Sequence, residues 1–246
     1  MAYTPDDIYK IFITKRTQVE MIGDRGYLVP EDEIAMFLEH PNALQPTPEL
    51  FMEFVQRYIP EGGKTFAREE MSHTYKDEND KSIYVYFAPQ IIKDKQGVSV
   101  VSTFIENLTE VGADVGIIIT NEGFTPDAKK LLDALTKPII QVFYDFQLYA
   151  NPTYHNLVPK HTKLSEDQRR ILLTKYKIQP RQITGMSMED PITRYYGWLP
   201  NDLIKIDRIN ISTTKTMIRS STAYRIVTRM KFDQEKKKAP KAKVTH

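Results

Sequence analysis

The 246-residue chain contains no cysteine, which excludes disulfide bridges, thiolate metal sites and thiol nucleophiles. It also lacks an apolar run of about 18 residues, so no segment reads as a membrane-spanning helix. The N-terminus carries neither the charged nor the apolar region of a signal peptide, and an intracellular protein is expected. No internal repeat is evident. Serine, histidine and aspartate are all present, yet no nucleophile-elbow or comparable pattern joins them, and nothing argues for an autonomous catalytic site.

What is present suffices for a packed core: 41% of residues are hydrophobic and 11% aromatic. The length sits between one large domain and two ordinary ones. The formal net charge of +2 conceals an asymmetry. Residues 1–154 carry 14 Lys and Arg against 24 Asp and Glu, a net −10. Residues 155–228 carry 13 against 6, a net +7, and residues 229–246 carry 7 against 2, a net +5. The two halves therefore face different electrostatic partners.

Thr4-Pro5-Asp6-Asp7 reads as a helix start, with a hydroxyl cap, proline at the first helical position and acids at the positive end of the dipole. Ile8, Ile11, Phe12, Val19 and Ile22 follow near one face. A helix from Pro30 carries Ile34, Phe37 and Leu38, and another from Thr47-Pro48 carries Phe51, Phe54, Val55 and Tyr58, ending at Glu61-Gly62-Gly63. From Ile83 strands and helices alternate: strand 83–87, helix 98–111 stopped by Gly112, buried strand 115–120, a helix from Thr125-Pro126-Asp127 with Leu131, Leu132 and Leu135, and strand 139–143. That alternation predicts an α/β domain in which helices are followed by a small, mostly parallel βαβαβ sheet.

Asn151-Pro152 marks a boundary, because the residue before proline is disfavoured in a helix and the charge reverses there. Beyond it, Ser165-Glu166-Asp167-Gln168 forms a capping box for a helix with Ile171, Leu172 and Tyr176. Asp190-Pro191 starts a short helix that Gly197 can end in a left-handed conformation. Segments 203–206 and 224–227 read as strands of a small mixed sheet, giving a second, α+β domain. The run EKKKAPKAK at 235–243 is too polar to repay the entropy of folding. The expected organisation is thus 1–150, 151–230 and a basic, disordered tail, 231–246, whose readings as a nuclear-import signal, a nucleic-acid tether or a solvated end stay open.

Several clusters invite a chemical reading. Pro60-Glu61-Gly62-Gly63-Lys64-Thr65 holds the end of a phosphate-binding loop, but Tyr58 stands where the full pattern needs glycine, and the segment follows a helix where it should follow a strand. His155 and His161 could share a metal, yet Val158 and Pro159 between them are in extended chain, so the rings need not converge. Packing or capping roles suit them better, and no metal or cofactor is expected. The paired carboxylates Glu69-Glu70 and Glu189-Asp190 lie in polar or capping contexts. In Arg194-Tyr195-Tyr196-Gly197-Trp198, rings and guanidinium could stack on bases. The alternative places Tyr195 or Tyr196 in the core and leaves Trp198 as an exposed anchor for a protein partner. Gly123, Phe124, Thr125 and Pro126 sit where a strand meets a helix, the usual ligand position on open α/β sheets. Asp127 opposes a tight anion site there.

The strongest signal is an ordered set: HNLVPKH at 155–161, the helix start Leu164-Ser165-Glu166-Asp167-Gln168, DPITRYYG at 190–197, DLIKIDR at 202–208 and TAYRIV at 222–227. Together these closely resemble the assembly domain of the shared fifth subunit of eukaryotic RNA polymerases I, II and III, which has a small archaeal counterpart. Asp24-Arg25-Gly26-Tyr27-Leu28-Val29 and Thr125-Pro126 with Ala128 resemble the eukaryotic family's N-terminal jaw domain, which the archaeal counterpart lacks.

The resemblance implies a non-catalytic subunit of a DNA-directed RNA polymerase, with 1–150 the jaw domain and 151–230 the assembly domain. The assembly domain would dock on the largest subunit among other polymerase subunits, and the jaw would lie beside downstream duplex DNA. Neither a membrane nor a small-molecule substrate is expected as a partner. By resemblance His155, Leu157, Val158, Pro159, His161, Asp190, Pro191, Tyr196 and Gly197 belong to the assembly fold, and the loop from Thr125 to Ala128 approaches DNA. The implied location is the nucleus, or a viral factory or virion for a large DNA virus. Three departures stand out: Asp127 replaces a small hydroxyl residue, Asn201 replaces a glycine, and 209–221 is longer than the family's serine-threonine-glycine link. A stand-alone nucleic-acid-binding adaptor using the basic C-terminal half stays open as the alternative, and a nucleotide-dependent enzyme using Gly62 to Thr65 as a third.

Overall fold

The computed structural model describes residues 4–38, 47–58, 67–91, 94–135, 137–211 and 218–229. The phosphate-loop-like segment 60–65 and the basic run 235–243 lie outside them. The chain divides into two compact units, Met1–Asn151 and Pro152 onward.

In the first unit, helix α1 (Pro5–Asp24) starts on a reciprocal cap: Thr4 Oγ1 accepts from the Asp7 amide, and the Asp7 carboxylate accepts from the Thr4 amide at 3.1 Å. Ile11, Phe12, Val19 and Ile22 are buried, but so are Thr14, Lys15, Thr17, Gln18 and Glu20, so the helix is covered over far more than one stripe. The segment after Pro30 begins as α2 (Glu31–Glu33) and widens into a π turn over Ile34–Leu38, where one regular helix was expected. Phe12 meets Phe37 at 5.4 Å and, edge-on, Phe54 of α3 (Pro48–Tyr58) at 5.1 Å.

Four strands, β1 (His73–Lys76), β2 (Ser82–Phe87), β3 (Val115–Thr120) and β4 (Ile139–Tyr144), lie in that order. β2, β3 and β4 are parallel, and β1 adds an antiparallel edge that the sequence reading missed. HTYK has no apolar alternation, and only Tyr75 is buried in it. β2 is buried along its whole length, as strands with both faces covered must be. On one face α4 (Val98–Val111) and α5 (Pro126–Ala134) bring Phe104, Leu108 and Leu132 against Tyr84, Tyr86 and Ile118. Gly116 permits that approach, since a Cβ there would stand 2.7 Å from the tip of the Phe104 ring. α1 serves the opposite face: Lys15 Nζ lies 5.6 Å from the Phe87 ring, and Arg25 donates to Gln141 Oε1 on β4 at 2.9 Å.

The second unit contains β5 (Lys160–Lys163), α6 (Glu166–Tyr176), β6 (Gly185–Ser187), α7 (Pro191–Tyr196), β7 (Leu203–Ile211) and β8 (Ile218–Thr228). Its mixed sheet runs β5-β7-β8-β6, with only β6 and β8 parallel. β5 is short and polar, β6 is only three residues long with Met186 its one buried side chain, and neither was foreseen. β7 and β8 are longer than the predicted 203–206 and 224–227, and they take up both ends of the 209–221 link. Both bonds of the α6 capping box form, between Ser165 and Gln168. Of the three large side chains read onto α6, Leu172 packs with Leu203 and Ile226, whereas Ile171 and Tyr176 are exposed.

Candidate functional site

The 155–161 motif folds on itself before it enters the sheet. The Leu157 amide donates to His155 Nδ1 at 3.2 Å and the Val158 amide to the His155 carbonyl at 2.8 Å, closing a turn. His161 is on β5 with its Nδ1 2.7 Å from the Pro159 carbonyl, which makes that nitrogen the donor. Each imidazole thus has its Nδ1 committed to its own segment, and no group of three metal-ligating side chains occurs among the described residues. Leu157 is 85% exposed.

The 190–197 motif is a compact helix with both ends specified. Asp190 accepts from the Ile192 amide at 2.9 Å, Pro191 occupies the first position, and Gly197 ends α7 at φ +66°. The Gly197 and Trp198 amides bond back to Arg194 and Thr193. This reversal corrects one expectation. Trp198 is not an exposed anchor: it folds back into the core with Met186, Ile192, Ile204, Ile206 and Val227, stacked on Tyr196 at 4.8 Å and 9°. Tyr195 is buried, as one of the two tyrosines was expected to be. Asn201 sits at φ +74°, a conformation that asparagine tolerates better than most side chains.

At the C-terminal end of β3, Gly123 accepts a bond from the Gln96 amide, Phe124 is buried in the core, and Thr125 caps α5 by accepting from the Ala128 amide. Pro126 holds the first helical position. Asp127 is exposed and pairs with Lys130 at 3.2 Å. The four residues named for this loop therefore divide into a turn, a core residue and a helix cap.

Two clefts flank His161. The larger, about 520 Å³, is lined by Arg208 and Arg225 of the β7–β8 face, by Ile206, and by Met186, Glu189 and Asp190 of the opposite wall. The smaller, about 270 Å³, lies between Val158, Pro159 and Lys160 on one side and Ile192 and Tyr196 on the other. Sequence reasoning missed the two arginines, because only the β7–β8 register brings them to one face.

Buried charge is concentrated in the first unit, and none of it was foreseen. The Lys15 ammonium, with no exposure, lies 2.7 Å from the Glu33 carboxylate and donates toward Gln18 Oε1, Tyr75 Oη and the Met71 carbonyl. Burial lowers the Lys15 pKa, with Glu33 opposing, and burial raises Tyr75 well above the usual phenol value. Arg68 and Asp145 form a bidentate pair at 2.7 and 2.8 Å. No composition signal marks these positions. A lysine or arginine in sequence reads as solvated unless the fold encloses it.

The residues of the strongest sequence motifs thus serve as turn, caps and core of a small α+β unit that follows an α/β unit, an architecture that presents surfaces. The family is defined by comparison: the RNA polymerase Rpb5 N-terminal domain matches residues 5–108 and the RNA polymerase Rpb5 C-terminal domain matches 150–227, so the chain belongs to the Rpb5 family. It is 26% identical over 211 residues to the DNA-directed RNA polymerases I, II, and III subunit RPABC1 of Caenorhabditis elegans, covering 85% of this chain and 93% of the relative. To the Dictyostelium discoideum protein of the same description it is 28% identical over 206 residues, covering 82% and 92%.

Proposed function

We propose that this chain is a non-catalytic subunit of a DNA-directed RNA polymerase. Its second unit docks on the largest subunit, and its first unit forms part of the lower jaw beside downstream duplex DNA. The observation that carries the reading is the match of both Rpb5 domains, in order, to most of the chain. The charge distribution supports it. A unit of net −10 repels a duplex bearing a charge about every 1.7 Å, so contact with DNA must be local and imposed by the rest of an assembly. The Thr125 loop fits such a glancing contact through its backbone, since Asp127 opposes a phosphate at the same helix start. Nucleotide addition falls to the large subunits, and the nucleus is the place of action, as for a eukaryotic relative.

Purification of the tagged full chain from its native source should recover the large polymerase subunits. Recovery of none would overturn the reading. The stand-alone adaptor has less support, because a two-domain match over most of the chain accounts for the acidic unit as well as the basic one.

A further inference from the structure

We propose that the groove around His161 in the second unit receives an extended, acidic segment of another polymerase subunit, whose carboxylates sit on Arg208 and Arg225. This rests on the reading of the chain as a polymerase subunit and adds which surface is used and what chemistry it selects.

The argument begins with register. Ile204 pairs with Arg225, and Ile206 pairs with His161 on one side and Ala223 on the other. Side chains on one strand alternate between faces and paired residues share a face, so Ile204, Ile206, Arg208, Arg225 and His161 lie on the same side of the sheet. Ile204 and Ile206 are buried under α7 and Trp198, whereas Arg208 is exposed and Arg225, paired with Ile204, is half-buried. Both arginines line a 520 Å³ cleft in which Met186 and Ile206 are the apolar members.

Among the described residues neither arginine has a carboxylate within ion-pair distance, whereas Arg16, Arg57, Arg68, Arg169 and Arg170 each do. Of the two acids on the facing wall, Asp190 is committed to the Ile192 amide at the start of α7, and Glu189 is exposed at the rim. A guanidinium presents a planar fork that fits a carboxylate with two parallel bonds.

Two features select a polypeptide over nucleic acid. His161 also lines the 270 Å³ cleft, where Val158, Ile192 and Tyr196 stand beside Lys160 and Thr153, so apolar and charged side chains are mixed around it. That mixture suits a segment carrying both acidic and apolar side chains. Glu189 at the rim repels a continuous polyanion but tolerates a mixed segment.

The test compares tagged full chains expressed in the native source: unchanged, Arg208→Glu/Arg225→Glu, and Arg208→Lys/Arg225→Lys. The double reversal should recover at least about tenfold less of the large polymerase subunits, because like charges then oppose across the groove, and the lysine pair should retain most of the recovery. A photo-reactive benzophenone residue at position 189 should cross-link a polymerase peptide rich in Asp or Glu. If the unchanged chain recovers polymerase and the double reversal recovers as much, the groove is not the docking site, although the subunit reading stands. If the unchanged chain recovers none, the subunit reading itself fails. A cross-link to nucleic acid, to an acid-free peptide or to this chain alone overturns the proposal, and this holds even if the double reversal misfolds.

Discussion

The substitution expected to damage the first unit most is Lys15→Met. Lys15 is fully buried, and its three N–H donors serve four oxygens: Glu33 Oε1 at 2.7 Å, Gln18 Oε1 at 2.9 Å, Tyr75 Oη at 3.1 Å and the Met71 carbonyl at 3.2 Å. Methionine keeps the length and the apolar stem while removing the charge. Glu33, 5% exposed, then holds its carboxylate with the Tyr75 hydroxyl at 2.7 Å as its side-chain donor. Breaking one half of a buried pair in this way costs about 3–5 kcal/mol. Adding Glu33→Gln removes the stranded charge and keeps an acceptor for Tyr75, so the double variant should regain on the order of 1–3 kcal/mol, the coupling seen within one network. Urea unfolding of the full chain provides the assay: far-UV circular dichroism follows both units, while the emission of the sole tryptophan, Trp198, follows the second unit. A loss below about 1 kcal/mol for Lys15→Met, or a double variant no more stable than the single, would refute the view that the ammonium compensates Glu33.

Glu20 should give the first unit a pH dependence: burial raises its pKa above 4.5, against Asn151 and Arg16, so its contribution is fully present below pH 4.5 and is lost as pH rises through the raised value. Because Asp7, Asp32 and Asp77 have lowered pKa values and act oppositely, the readout is the difference between chains: from pH 4 to pH 7, Glu20→Gln should lose less stability, or gain more, than the unchanged chain in denaturation. Gly116→Ala should cost roughly 1–3 kcal/mol by overpacking, since the new methyl meets Phe104, itself fully buried, and Phe104→Leu in the same chain should relieve it in thermal melts. Asp190→Ala and Gly197→Ala should each cost about 1 kcal/mol, one by losing the α7 cap and the other by forcing a Cβ into left-handed backbone, with both effects visible in the Trp198 transition.

The helix starts at Thr4, Thr125, Ser165 and Asp190 were legible because a cap needs only residues within one turn of each other. The central strands β2, β3 and β4 were legible for a related reason, since strands covered on both faces must be apolar throughout. The strands that escaped, β1, β5 and β6, are segments of three or four residues with no apolar alternation to mark them, and their pairing is decided by segments elsewhere in the chain. Trp198 escaped as well. The left-handed turn at Gly197 was foreseen, but where it would send the next ring depends on Ile204, Ile206 and Val227.

Local chemistry in the sequence thus determined the caps, the buried strands, the charge division near residue 154 and the ordered motifs that place the chain in its polymerase family. Tertiary structure alone decided the functional surfaces and the buried charges. Arg208 and Arg225 are 17 positions apart and reach one cleft only through the β7–β8 register. Lys15 and Glu33 become partners only because α1 and α2 enclose them together with Tyr75. Capping and burial patterns act over a few residues, whereas register and enclosure exist only once distant segments have packed.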